Sequence, residues 1–506
     1  MEEAKSKNIT IAKNSIFLFA RTFVSIIVTL FTSRVFLNQL GVEDYGIYNL
    51  VGGVVAVFSV LTSFMTGATQ RFLSIEIGKD DIEGMNKVLN ISISIHILLG
   101  IILIVIGEIV GLILLNNYLN IPEGKEFITT IVFHFAILTS VVSLFRIPYN
   151  ALIIAREHMS FFALITIAEV IAKLLVTLAL VFTQQKLFVY SLLFLVTTSI
   201  ITYSYYYYCK KRLHLPKYKY YSYKGNNEYK LMLSYSGWSF VGYFASTMKE
   251  QGGSFILNIF HGVLLNAAMG VVNQATNVFT SLFLNLQSAF RPQLMQSTVN
   301  DRSRYDSLMN VCAFYTILLM GLICTPMIIG ANSILTIWLG IVPEYSVLFV
   351  QLMMLKIFIA SVSQCFSISI EAYAELKPSM IASVLIAILF VVVSYLLLKV
   401  GLGPSWVIIM LSISELLYLL YRAYYCSKNN LVDLKSMISY NWKALSVVVL
   451  FLVGAFFISR RMDGYIIAFM TMAAETVIYC VISLIIMKKN QREFVFSKFQ
   501  SILHLR

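Results

Sequence analysis

The residues with the clearest chemistry are basic groups set inside apolar runs. The stretch "SLFRIPYNALIIAREHMSFFALI" (143–165) carries Arg146 and, two residues on, Pro148. An arginine at bilayer depth costs about 2.5–3.5 kcal/mol on insertion scales, so its presence asks for a use. Arg21, Arg34, Arg71, Lys173, Lys249 and Lys356 stand in the same kind of setting, with Arg291 at the end of another run. Guanidinium forks pair bidentately with phosphate oxygens. Arg21, Arg34, Arg71, Arg146, Lys249 and Arg291 are therefore candidate binding residues for a phosphate, a pyrophosphate or an anionic sugar. The competing reading is snorkelling to inner headgroups, easiest for Arg71 and Arg291. Pro148 cannot donate a helical hydrogen bond and crowds the preceding turn, so it marks an expected kink and hinge.

Glu108, Glu169, Glu250, Glu371, Glu415 and Glu475 fall in apolar runs clear of their ends, and no Asp does. Glu250, Glu371 and Glu169 are candidate ion-coupling groups, although Glu169 and Lys173 at i,i+4 could equally neutralise each other. Asn14, Arg21, Ser25, Thr32 and Gln39 fall on one helical face, as do Ser236, Ser239, Tyr243, Ser246, Glu250 and Ser254, with Lys249 beside them. A charge within each polar stripe favours a wet cavity over packing by small residues alone. The six histidines form no HExxH, and the six cysteines no CxxC. With no Walker A sequence either, the chain is read as neither an enzyme nor a metal protein. Glu43–Asp44 could be taken for the acidic pair of a membrane glycosyltransferase and Asp80–Asp81 for that of a lipid-phosphate sugar transferase, but helix-start and turn readings fit better.

Long apolar elements must position these groups. The 506 residues are 58% hydrophobic and 12% charged, with a mean hydropathy of +0.80. An ordinary soluble domain carries about 25% charged residues. Runs of bilayer length occur at 14–38, 46–76, 87–115, 125–153, 161–182 and 187–209. The second set is 231–260, 264–292, 305–330, 346–374, 378–398 and 404–426, followed by 441–459 and 464–487. This predicts an all-α polytopic membrane protein of about fourteen transmembrane helices. The formal charge is +13, and Lys and Arg concentrate in alternate loops. That bias places both termini in the cytoplasm. The segment 203–230 holds ten tyrosines and seven Lys or Arg. It reads as an interfacial aromatic belt with a basic anchor to anionic lipid, and not as a nucleic-acid surface.

That segment divides two similar halves. Gly41 of "NQLGVEDYG" matches Gly262 of "NIFHGVLLNAAMG"; Arg71 of "GATQRFL" matches Arg291 of "QSAFRPQL"; Ser160 matches Ser379. The nearly constant offset implies a parallel repeat of six spans, a layout found in transporters. The predicted divisions are an N-lobe at 1–209, a linker at 210–230, a C-lobe at 231–430, and an extra pair of spans with a basic tail at 431–506.

With "SLFRIPYNALIIAREHMSFF" after span 4 and "NQLGVEDYGIYNLV" after span 1, the chain resembles the Wzx-type polysaccharide-export flippases. These belong to the multidrug/oligosaccharidyl-lipid/polysaccharide exporter (MOP) superfamily. The resemblance implies a MATE-like fold of two six-helix lobes opening alternately to either side. It also implies passage of undecaprenyl-pyrophosphate-linked oligosaccharide from the inner to the outer leaflet of a bacterial cytoplasmic membrane. The work would be driven by H+ or Na+, with no other cofactor, for surface polysaccharide such as O-antigen or capsule. Arg21 and Arg34 stand nearest the cationic lumen residues of relatives that flip lipid II, though no Asp follows either. Membrane lipids and polysaccharide polymerase or assembly proteins are the implied partners, and nucleic acid is not. The alternative on the same fold is a cation-coupled small-molecule antiporter, which calls for a more acidic cavity.

Overall fold

A computed structural model describes residues 2–156, 158–215, 217–221, 227–300, 302–372, 376–461 and 464–487. The described residues fold into thirteen α-helices: α1 (Glu2–Gly78), α2 (Ile82–Asn117), α3 (Glu126–Ala155), α4 (Met159–Ala179), α5 (Lys186–Arg212), α6 (Asn227–His261), α7 (Val263–Asn300), α8 (Arg302–Leu339), α9 (Ser346–Ala372), α10 (Leu376–Lys399), α11 (Ser405–Lys428), α12 (Leu434–Ser459) and α13 (Tyr465–Ile486). A short 3₁₀ turn, Leu180–Phe182, follows α4. Backbone groups in lipid find no water, so helices that satisfy them internally are the expected solution.

Two expected spans, 14–38 and 46–76, are joined in α1 with no loop between them. The helix breaks only at Gly41, whose φ of 78° and ψ of 173° are non-helical. "NQLGVEDYG" is thus a tight break, made at the residue type that tolerates positive φ. Gly262, at φ 74°, separates α6 from α7 in the same way. The broken α1 brings the helical segments to the fourteen expected. Among the described residues, eleven helical stretches are long and apolar enough to cross a membrane. The chain is a multi-pass, all-helical membrane protein.

The repeat continues in the packing. Cys209 Sγ on α5 donates to Tyr149 O on α3 at 3.6 Å, and Cys426 Sγ on α11 donates to Phe366 O on α9 at 3.7 Å. Both partners of the second pair lie 217 residues beyond those of the first. The Ser160–Ser379 match is not shared in environment: Ser379 is buried against the Tyr418 hydroxyl, whereas Ser160 is exposed.

Contacts divide the chain into two compact units: 1–271 with 338–344 and 383–407, and 272–337 with 345–382 and 408–506. In the first unit, Val54, Leu103, Phe133, Leu144 and Leu187 form one core cluster, and Leu73, Leu89, Leu152, Ile201 and Tyr205 another. Gly100 and Gly111 of α2 admit the rings of Phe145 and Phe133, respectively, from α3. Such close approach by small residues drives helix association where lipid removes the hydrophobic incentive. The opposite face of α2 exposes Leu98, Ile101 and Val105, as a lipid-facing stripe should. Also in this unit, a Cβ on Gly46 of α1 would meet the Val263 carbonyl, and one on Gly270 would meet Asn49. Asn258 and Asn266, both buried, bond to each other at 2.9 Å, and Asn258 accepts from Asn120 N at 2.7 Å. In the second unit Leu294, Tyr305, Met309, Phe366, Ile368 and Leu431 make the core.

Candidate functional site

The first unit gathers three charges from two helices. Arg146 on α3 donates from Nη1 to Glu169 Oε2 of α4 at 2.8 Å, and Lys173 of α4 reaches Glu169 Oε1 at 3.0 Å. The three side chains are 24%, 15% and 33% exposed, respectively for Arg146, Glu169 and Lys173, so these pairs are better shielded than surface ones. Two cations share one anion, which leaves a net positive cluster. Glu169 and Lys173 meet because i,i+4 residues share a helical face. The third member needs the turn between α3 and α4. There the His158 ring and the Tyr208 hydroxyl lie 2.7 Å apart, and Phe161 stacks on Tyr208 at 3.7 Å, seating α4 on α5.

Aromatic rings brace both cations. Arg146 Cζ lies 5.6 Å from the Tyr205 ring centre, and Lys173 Nζ 5.1 Å from that of Phe194. Phe194 also lines a cavity of about 150 Å³ with Tyr48, Val51, Thr139, Ser140 and Ser191. α3 stays helical through buried Pro148, and it is tied to α5 on both sides of the proline. Thr202 donates to Val142 O at 3.3 Å, and Cys209 to Tyr149 O.

The remaining expected residues lie on other helices. Arg21, Arg71 and Arg291 lie in helices, but their side chains are outside the described residues. Arg34 is exposed. On α6, Lys249 is buried, at 5% exposure, while its neighbour Glu250 is exposed, so the two do not share a face. Glu371 of α9 is half-buried and accepts from Ser367 at 3.4 Å. Glu108 is paired with His134 at 2.8 Å. Among the described residues no group of His, Cys, Asp or Glu could hold a metal ion.

One residue escaped the sequence reading. Arg422 of α11 is 8% exposed, donates to Ser363 O and Oγ of α9 at 3.3 and 3.0 Å, and lies 3.9 Å from the Tyr418 ring centre. Its Nε is buried without a partner. The pair 363/422 lies 217 residues beyond 146/205, so each half places an arginine across the same helix pair, on opposite members. The sequence matches, offset by 219 to 221 residues, do not bring Arg422 opposite Tyr205; the 217-residue offset emerges only from the packing.

The acidic pairs have structural employment. Asp44 holds Lys125 at 2.8 Å, and that hydrogen bond raises the ammonium above its usual range. Asp81 caps α2 by accepting from Gly84 N at 2.8 Å. The Tyr-rich segment is helical through Arg212, with Lys210 and Lys211 over Tyr206 and Tyr207.

No protein-family model and no curated protein sequence matches the chain. Solved structures do. The lipid II flippase MurJ, in its inward closed conformation, superposes with a TM-score of 0.70 at 14% identity, covering 93% of this chain and 98% of that one. An inward-facing multidrug-resistance MATE family transporter gives a TM-score of 0.65 at 11% identity over 83% and 99%. A MOP superfamily transporter from Pyrococcus furiosus gives 0.59 at 12% over 83% and 95%. The fold is that of the MOP superfamily transporters. At these identities the likeness establishes the fold, and the MATE-like fold that the resemblance implied is present.

Proposed function

We propose that the chain is a flippase for an undecaprenyl-pyrophosphate-linked oligosaccharide, working by alternating access in a bacterial cytoplasmic membrane with both termini inside. The observation that carries this reading is the net positive Arg146–Glu169–Lys173 cluster among membrane-spanning helices, beside a small, largely apolar cavity that also carries Thr139, Ser140 and Ser191. Arg146 commits one nitrogen to Glu169, leaving Nε and Nη2 for an incoming phosphate oxygen. The MurJ-like fold supports a lipid-linked substrate. The sequence halves 1–209 and 231–430 would be the moving lobes, with Arg21, Arg34, Arg71, Lys249 and Arg291 as further cations along the path and Pro148 as a hinge. Glu250 or Glu371 would carry a coupling ion. The sugar chain, bound for surface polysaccharide, would be handed to polymerase or assembly proteins.

The test is reconstitution of the full chain into vesicles holding the lipid-linked oligosaccharide, with outer-leaflet sugar read by a membrane-impermeant enzyme. Arg146→Ala is expected to abolish flipping while Arg146→Lys retains part of it. Undiminished flipping by Arg146→Ala removes the cluster from the mechanism. Extrusion of a cationic drug with no flipping would instead establish the antiporter reading.

A further inference from the structure

The α12–α13 hairpin belongs to the second unit and meets α8 through small residues and one carboxyl. A Cβ on Gly321 of α8 would collide with the Tyr479 hydroxyl, and one on Gly330 with Met472. The Tyr479 hydroxyl donates to Leu318 O at 2.9 Å. Between these contacts, near the middle of α13, Glu475 is 8% exposed. Its Oε1 lies 2.6 Å from Thr325 Oγ1, and its Oε2 is buried with no hydrogen-bond partner.

The carboxylates at Glu108 and Glu169 have basic partners. Among the described residues no Lys, Arg or His lies within ion-pair distance of Glu475. The titratable groups at this interface are Tyr479 and Cys480 of α13 and Cys324 of α8. From α12, Val448 approaches Gly321 and Phe451 packs edge-on against Tyr479.

A count of hydrogens decides the state of the carboxyl. Thr325 has one hydroxyl proton but two neighbours placed to accept it: Gly321 O at 2.9 Å and Glu475 Oε1. An ionised Glu475 would be a buried anion with at most one donor and no cation, a costly arrangement. A neutral acid closes the count. Its O–H donates to Thr325 Oγ1, whose own proton goes to Gly321 O, and 2.6 Å suits a short O–H···O bond.

We propose that Glu475 is a proton-binding site, held as the neutral acid against Thr325, and that the α12–α13 hairpin seats on α8 only while the proton is bound. Release of the proton to water would leave an uncompensated anion between packed helices and favour separation of α13 from α8. The site is independent of the Arg146 cluster, so either reading can fail alone.

Two measurements on the full chain in liposomes test it. The infrared difference between wild type and Glu475→Gln near neutral pH should contain a protonated-carboxyl C=O band. A difference showing only carboxylate overturns the assignment. If the glutamine variant cannot be purified, Thr325→Val should shift the same acid band, and an unshifted spectrum counts against it equally. For seating, Gly330→Cys with Met472→Cys is cross-linked in a chain otherwise lacking cysteine. Disulfide yield should fall at high pH severalfold relative to the Glu475→Gln background. Identical pH profiles in the two backgrounds overturn the coupling of seating to the proton.

Discussion

Replacing Glu169 by glutamine probes how the intramembrane charges are held. The change keeps the shape of the side chain and removes the one anion between Arg146 and Lys173, which sit 2.8 and 3.0 Å from its two oxygens. Exposed ion pairs contribute about 0–1 kcal/mol, and breaking a buried one costs about 3–5 kcal/mol. With side chains 15–33% exposed, the cluster lies between these limits. Glu169→Gln loses both pairs and leaves two like charges facing each other, for a cost of about 2–4 kcal/mol. Arg146→Ala leaves Glu169 paired with Lys173 and should cost only about 1–2 kcal/mol. The asymmetry is the useful quantity. In the double variant one of the two stranded cations is gone, so it should be more stable than Glu169→Gln alone, with a coupling energy of about 0.5–3 kcal/mol. The assay is the fraction of monodisperse protein left after heating in detergent, giving an apparent Tm for each corner of the cycle. A Glu169→Gln variant as stable as Arg146→Ala, or a double variant at the additive sum, would refute a shared-anion cluster.

Two other substitutions test the packing of the first unit. Gly46→Val should lower the apparent Tm sharply, because its Cβ meets the backbone carbonyl of Val263, which cannot move aside as a side chain can; Gly52→Ala, facing open space, should leave it unchanged. Asn258→Ala removes the partner of Asn120 N and Asn120 O as well as of Asn266; at about 1–3 kcal/mol per stranded group, hydrogen exchange at Asn120 should rise at least tenfold.

Much of this architecture is legible in the sequence because lipid imposes few choices. Twenty-residue apolar runs must be helices, and a glycine at the same place in each half marks the same break. Gly41 and Gly262 both take positive φ, which an L-residue with a Cβ adopts only at a cost. Glu169–Lys173 was legible for a similar reason, since helical spacing brings i and i+4 together. The Arg146–Glu169 bond was not, because 23 residues and a turn separate its ends and only tertiary packing sets their distance. Arg422 was hidden differently. It stands six residues before Lys428, near the C-terminal end of α11, where sequence alone does not separate a buried arginine from an exposed one. Its burial is a property of α9, whose Ser363 supplies two acceptors within 3.3 Å.

The same logic separates the three described carboxyls that now have clear roles. A carboxyl in lipid must be neutralised by a cation, by a titratable base or by its own proton, because an unpaired anion is too costly to keep. Glu169 uses cations and Glu108 uses His134. Glu475, whose hydrogen-bond partner is the Thr325 hydroxyl, is left with the third. Hydropathy assigns all three the same penalty, and the partner alone tells them apart. In a helical membrane protein the function of an acidic residue is therefore written in the helix opposite. For Glu475 that helix is α8, which supplies a hydroxyl and a carbonyl oxygen but no cation.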